Sequence, residues 1–434
     1  MATLFIKLDT KAYTWNGTTL TQVSDVDYPA TTVRGALYLN KIFYVMDTAG
    51  VIWGSAEDDP TSWNALNFVK ASFAPDEGVC LAQALEYIVA FGRYTTEAFY
   101  DAGLAPPASA LSPVQSGIML VGCAHGNSVA QSETALVWMA LQKAQGSTYH
   151  KGRFIAMMDG FGAYKRISTP DVERLLDADD LAGVFADILT IAGHAFYVLT
   201  LSTTAITLVA DLRTGLWYEW NISTAGSAKS VSSLTQSNGL ATATSTAHGF
   251  SDGDYVVVAG ATPSGYNLTV NVNVVDANTF TYPVSSSLST PATGTITATS
   301  WTTGAFDLAQ TLFFNGNQVL QTRGSGKIYS LSLTGTTDNG APIDMRVRTP
   351  NFDKDTADPK GMPWLELVAS QAASEDNILV RVTDDDYQTW SSFRRLDLAQ
   401  KRKRLWRLGQ YFRRAVELRH TASSRPRIEY IDVP

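Results

Sequence analysis

Apolar residues fall in short runs along most of this chain, with turn-forming polar residues between them, and that rhythm predicts strands rather than helices. Residues 37–46, 87–91, 154–158, 194–201, 311–314, 378–382 and 415–418 are examples. Helical spacing is scarce. Residues 175–187, rich in Leu, Ala and Asp, predict one short helix. Residues 130–145 admit another, but their 135–141 run reads equally well as a buried strand.

Six times a strand-like run ends in a polar or glycine-containing turn, and an aromatic follows within a few residues. Asp47 to Gly50 leads to Trp53, Arg93 to Thr96 leads to Phe99 and Tyr100, and Asp159 to Gly162 leads to Tyr164. Asp211 to Gly215 leads to Trp217, Tyr218 and Trp220, Gly324 to Gly326 leads to Tyr329, and Asp384 to Gln388 leads to Trp390. Tight hairpins need positive φ or a capping side chain, which accounts for the Gly and Asp. The aromatic is then placed to pack between neighbouring sheets.

Successive turns are about 46, 66, 52, 113 and 60 residues apart. The long interval contains a segment of different composition, residues 234–298, and without it shrinks to about 48, close to the ~40–50 residues of a propeller blade. The predicted fold class is therefore all-β: a six-bladed β-propeller-like domain with an inserted small β domain. Residues 1–233 hold the first blades, 234–298 the insert, and 299–434 the remaining blades with a basic C-terminal β segment. A non-repeating assembly of β-sandwiches is the competing arrangement, since any β protein offers Gly and Asp turns. Trp53, Trp63, Trp217, Asp384, Asp386 and Trp390 are expected as structural turn and aromatic anchors.

Composition narrows the class. Charged residues make up 17% of the 434, below the usual quarter. With abundant Thr, Ser, Gly and Tyr, this argues for a β-rich fold and against disorder. Residues 1–13 hold no apolar core of signal-peptide length, and no run approaches the ~18 apolar residues of a membrane span. A soluble protein made in a cytoplasm, without membrane insertion, is the expectation. Cys80 and Cys123 are too few for a disulfide framework, lack metal-ligand spacing, and read as small buried hydrophobes.

Three sets of residues carry a family resemblance. The first is Ser55-Ala-Glu-Asp-Asp-Pro-Thr-Ser-Trp-Asn-Ala-Leu-Asn-Phe68. The second is Tyr87-Ile-Val-Ala-Phe-Gly-Arg-Tyr-Thr-Thr-Glu-Ala-Phe-Tyr-Asp101, continued by Val121-Gly-Cys-Ala-His-Gly-Asn-Ser-Val129 and Gly162-Ala-Tyr-Lys-Arg-Ile-Ser-Thr169. The third is Leu379-Val-Arg-Val-Thr-Asp-Asp-Asp-Tyr-Gln-Thr-Trp-Ser391, followed by Arg404-Leu-Trp-Arg-Leu-Gly409 and Phe412-Arg-Arg-Ala-Val-Glu-Leu418. In this order they resemble the packaged-DNA stabilisation and tail nozzle proteins of short-tailed bacteriophages. The stretch after Val129 departs from the pattern, and Tyr387 stands where a Gly would be usual.

The resemblance implies a non-enzymatic virion tail protein, assembled in the host cytoplasm as a homohexameric ring below the portal and adaptor. Such a ring retains packaged DNA, conducts the duplex without sequence-specific binding during ejection, and gives tail fibres or tailspikes a platform. In the nearly uncharged insert, His248-Gly-Phe-Ser-Asp-Gly-Asp-Tyr-Val-Val-Val258 and Val275-Asp-Ala-Asn-Thr-Phe-Thr-Tyr282 resemble a small β domain recurring in phage structural proteins. A partner-binding or glycan-binding module and a plain spacer are both open for it.

Residues 383–390 also resemble the Asp-box of sialidases, where Asp and Thr cap a hairpin and Trp packs between blades. That role is structural even in enzymes, and no recognisable arginine triad, Tyr nucleophile and Glu partner accompany it. Asp384, Asp385 and Asp386 suit a hard cation, but no EF-type loop with a distal Glu follows, and a turn suffices. The five histidines show no metal spacing, and neither a nucleophile elbow nor a phosphate loop is present. No cofactor or metal is predicted.

The net charge of −8 is unevenly spread. Twelve basic residues between Arg394 and Arg427 face only Asp397 and Glu417, so that segment carries +10 and the rest −18. Lys401, Arg402, Lys403, Arg404, Arg407, Arg413 and Arg414 are the candidate interface residues. They read as a nucleic-acid patch, a solvated face, or a surface meeting an acidic neighbour. A DNA conduit should not grip its cargo, because each neutralised phosphate adds affinity through counterion release. An acidic neighbour, in an adjacent subunit or the adaptor, is the expectation, with carboxylates lining the lumen. A receptor- or glycan-binding propeller of the virion is the alternative function.

Overall fold

The computed structural model describes residues 3–104, 109–132, 135–142, 152–159, 162–323, 326–332, 335, 337–338, 341–371, 377–420 and 425–434. It divides the chain into two units, Met1–Trp220 with Ala305–Leu331, and Asn221–Gly304 with Ser332–Pro434.

In the first unit the runs and turns become six antiparallel sheets in chain order. The first sheet is Leu4–Lys7, Ala12–Trp15 and Leu20–Gln22. The second is Ala36–Leu39, Ile42–Met46, Val51–Ala56 and Asp59–Lys70, and the third is Gly78–Ala84, Tyr87–Gly92, Thr96–Asp101 and Leu111–Pro113. The fourth is built on Ala135–Leu141 and Arg153–Asp159. The fifth is Phe185–Ile191, His194–Leu201, Ile206–Asp211 and Trp217–Glu219, and the sixth Leu308–Phe314, Asn317–Thr322 and Ile328–Ser330. Apart from the fourth, each pairs its strands in sequence order.

Each sheet buries one face against the next. Ala12, Val23, Val45 and Trp63 join the first to the second, and Tyr44, Met46, Leu81 and Phe99 the second to the third. Phe91, Val121, Trp138 and Phe154 fill the third junction, and Met139, Ile155, Tyr197 and Leu208 the fourth. Leu189, Val198, Leu308 and Leu320 fill the fifth. Antiparallel sheets packed face to face in chain order are the arrangement of a β-propeller. Gly35 shows how closely they approach: it holds φ +100°, and a Cβ there would lie 1.9 Å from the Leu81 carbonyl oxygen.

The short helix lies at Pro170–Ala178, not 175–187. Thr169 caps it, its side chain accepting from the Val172 amide, and Pro170 opens the first turn. From Phe185 the chain is already strand. Ala135–Leu141 is a strand, almost wholly buried. Of the expected turns, residues 160–161 and 324–325 lie outside the described residues, as does His150.

The second unit contains two β bodies. In the first, Ser233–Ser237, Leu240–Thr244, Thr279–Pro283 and Asn273–Asp276 form one sheet, and Asn221–Ala225, Thr297–Ala305, Tyr255–Ala259 and Thr269–Asn271 another. Leu234, Phe250, Val256, Tyr266, Phe280 and Tyr282 make their shared core. In the second, Met345–Arg348, Ala415–His420, Asn377–Thr383 and Arg394–Asp397 pair in that order, beside a sheet of Lys403–Trp406, Trp364–Ala369 and Ile428–Asp432. The turn after Asp384 therefore belongs to a sheet with a crossover, unlike the meanders of the first unit. Leu365, Ile378, Leu405 and Val416 pack in its core.

Candidate functional site

The Asp-and-aromatic turns work through one carboxylate each. Asp47 accepts the Ala49 and Val51 amides at 2.9 Å through Oδ1, and the Trp53 indole N–H at 3.1 Å through Oδ2. Trp63 donates from its indole to the Pro60 carbonyl at 2.9 Å, while its amide donates to Asp25 at 2.9 Å. Trp217 donates to the Ile167 carbonyl at 2.9 Å. In the turn before it, Asp211 accepts from His194 Nδ1 at 2.8 Å, the Thr214 hydroxyl at 2.8 Å and the Arg213 amide at 2.9 Å. Burial acts to raise the Asp211 pKa, but those hydrogen bonds outweigh it and bring the carboxyl down to about 2.

At 383–390 the capping carboxylate is Asp385, which the sequence reading left out of its anchors. Asp385 accepts from the Thr389 hydroxyl, the Thr389 amide at 2.9 Å, the Thr383 hydroxyl at 2.7 Å and the Gln388 amide at 3.1 Å. The Thr389 side chain leads these donors in depressing its pKa to about 2. Asp384 and Asp386 point elsewhere, to Arg414 and Arg413. Asp386 and Tyr387 hold φ of 56° and 69°, the turn that favours Gly. Tyr387 uses its side chain there, donating its hydroxyl to the Thr349 carbonyl at 3.0 Å. Trp390 lies under two guanidinium groups, Arg381 at 4.7 Å and Arg348 at 5.3 Å from its centroid.

The basic segment is largely neutralised within its own unit. Arg414 is buried and donates from Nε and Nη2 to both Asp384 oxygens at 2.7 Å, and from Nη1 to the Leu408 carbonyl at 2.7 Å. Arg404 and Arg402 share Glu366, whose carboxyl their hydrogen bonds, Arg404 first, hold below its ordinary pKa. Arg413 meets Asp386 at 3.2 Å. Lys403 is buried, donating to the Ala369 carbonyl at 3.0 Å. Lys401 and Arg407 are exposed and make no side-chain contact of this kind among the described residues. Beyond these seven, fully buried Glu417 is clasped by Arg348 at 2.6 Å and Arg381 at 2.8 Å.

Arginines also tie the strand bodies of this unit together. Arg395 donates to the Asn271 carbonyl at 2.5 Å, and Arg419 to the Gly253 carbonyl at 2.7 Å and to Asp344 at 2.8 Å. Gly253 sits at φ +82°, where a Cβ would strike the Phe393 ring at 2.4 Å. Nothing in the spacing of these residues marks them as partners.

In the first unit, a cavity of about 720 Å³ is lined from the first, second, fourth, fifth and sixth sheets, by residues including Lys7, Arg34, Asn127, Gln131, Phe185 and Gln310. Lys7 reaches the Val33 carbonyl at 2.6 Å and Thr32 Oγ1 at 3.1 Å, and burial lowers its pKa. Both cysteines are buried thiols; burial pushes Cys123 up to about 12 and Cys80 higher still. Among the described residues no helix is long and apolar enough to cross a membrane, and no group of three His, Cys, Asp or Glu side chains could hold a metal ion.

A family model described as Bacteriophage P22 Gp10, β-propeller, matches residues 1–231. No curated protein matches the chain. Among solved structures, BamB from Moraxella catarrhalis is 10% identical over 74% of this chain and 93% of its own, with a TM-score of 0.31. YCF48 bound to D1 peptide is 9% identical over 73% and 84%, at 0.34. A chain of a mitotic checkpoint complex is 10% identical over 76% and 84%, at 0.36.

Proposed function

The chain belongs to the family of the bacteriophage P22 Gp10 β-propeller, which makes it a structural protein of a phage tail, and on that footing we propose that it is a tail nozzle subunit of a short-tailed phage. Six copies form a ring that closes the tail channel below the portal and adaptor, retains packaged DNA and conducts it at ejection. The six sheets of the first unit are the blades of its propeller. It acts without catalysis, and the ring offers tail fibres or tailspikes a platform.

The family match over residues 1–231 carries this reading. The state of the basic segment supports the conducting role. Arg414 and Arg404, the less exposed of these cations, are already paired with Asp384 and Glu366, so they are poorly placed to neutralise phosphates of a duplex. Of the seven candidate residues, Lys401 and Arg407 are the exposed cations left for an acidic neighbour in the assembly.

Charge reversal of those two residues, Lys401→Glu with Arg407→Glu, tests the assignment. Ring assembly on the portal partner, read by native mass, should weaken while the isolated chain keeps its melting temperature. Intact assembly with altered DNA retention would place these cations against DNA instead. A chain that stays monomeric with its portal partner and binds host-surface glycans would favour receptor recognition.

A further inference from the structure

Two neighbouring sheets of the first unit meet one guanidinium. Arg34 leads into the second sheet; its backbone carbonyl accepts the Leu81 amide of the third at 2.8 Å, and Gly35 beside it leaves no room for a side chain. Its Nη1 donates to Asn127 Oδ1 at 2.7 Å, and its plane lies over the Phe185 ring at 5.2 Å. Asn127 is itself fixed in the turn Gly126–Ser128, its amide donating to His125 Nδ1 at 3.1 Å. The guanidinium is half-buried, with its orientation set by that hydrogen bond and that ring face.

Arg34 has no carboxylate partner within ion-pair distance among the described residues, in contrast to Arg348, Arg381, Arg404, Arg414 and Arg419 of the other unit. Of its five N–H donors it spends one on Asn127. The other cation of the cavity, Lys7, is engaged by Val33, Thr32 and, at 3.9 Å, Asp9. The remaining carboxylate of the lining, Asp187, accepts the Ile188 amide at 2.8 Å and the Thr311 amide at 2.9 Å. The cavity's ~720 Å³ is of the size that admits a small molecule, and Gln131 and Gln310 are among its lining residues.

We propose that this cavity is a binding site for a small oxyanion, a carboxylate or a phosphate, received by the free edge of the Arg34 guanidinium. A planar fork held by a hydrogen bond and a ring face is already in the geometry that bidentate recognition requires, so little side-chain freedom is lost on binding. The site belongs to a single chain and does not rest on ring assembly.

Equilibrium dialysis of the full chain against inorganic phosphate, and separately against N-acetylglycine, tests the site and distinguishes the two oxyanions. One equivalent per chain of at least one probe should bind saturably. Arg34→Met, which keeps an apolar stem over Phe185, should weaken that binding by about tenfold or more, the loss expected for a charge-assisted pair. If Arg34→Met does not fold, Arg34→Lys keeps the charge without the fork and should still weaken binding several-fold. Absence of saturable binding for both probes, or equal binding in wild type and the folded variant, would overturn the proposal.

Discussion

A carboxylate that accepts three or four hydrogen bonds at a turn stays charged far into acid. For Asp385 and Asp211, both near pKa 2, the folded value lies below the ordinary value of about 4. Their contribution to stability is thus complete above about pH 4 and is lost as pH falls toward 2. Replacing Thr389 with Val removes the leading donor and should move the Asp385 carboxyl midpoint upward in a ¹³C titration; an unchanged midpoint would separate the shift from the turn. Glu417 presents the opposite situation, a charge with no access to water. Its loss in Glu417→Ala leaves Arg348 and Arg381 without their acid and should cost about 3–5 kcal/mol, nearer the lower figure because both arginines are partly solvated. Denaturant unfolding of the C-terminal body reads this directly. The sequence reading singled out the Asp-rich turn and Trp390 but not Asp385, because three adjacent carboxylates look alike until their neighbours are placed.

Sheets of three to five strands become stable by burying one face against the next, so the junctions set the energy of the first unit. Trp138 is fully buried in the third junction and donates to the Gly122 carbonyl at 3.1 Å. Trp138→Ala should cost about 3–5 kcal/mol, lowering the melting temperature more than any surface change in the same sheet. Strand positions were legible because hydrophobic runs and Gly or Asp turns report local conformation. The first sheet was not counted among the repeats. Its turn is capped by Asn16, whose Oδ1 accepts the Thr18 and Thr19 amides at 3.0 and 2.8 Å, but its aromatic, Trp15, precedes the turn instead of following it. Conversely, the Asp384 turn carries every local mark of the repeat, while the crossover of its sheet depends on a strand some thirty residues further on, Ala415–His420. Turn chemistry is local and sheet order is not.

Across the whole chain, the family relationship reaches residues 1–231, while the sheets of the first unit run to Trp220 and resume within Ala305–Leu331. The first and sixth sheets both line the cavity, yet among the described residues no buried cluster joins them. The cross-strand row Leu4, Trp15 and Leu20 is exposed on one, and Leu312, Phe314 and Ile328 on the other. Amides of these two sheets should exchange with solvent faster than those of the third and fourth, as hydrogen-exchange mass spectrometry would show; equal protection would mean the junction is sealed in solution. The charge asymmetry was plain in the sequence, but its destination was not. Arg402, Arg404, Arg413, Arg414 and Arg419 of the basic segment pair with Glu366, Asp386, Asp384 and Asp344 of the same unit, which no spacing rule connects. Electron microscopy of virions carrying a tag on this chain tests the central claim most directly. The label should decorate a six-fold ring around an open channel at the end of the tail. Label on the head shell or on peripheral fibres, or a tail tip with no annulus, would contradict it.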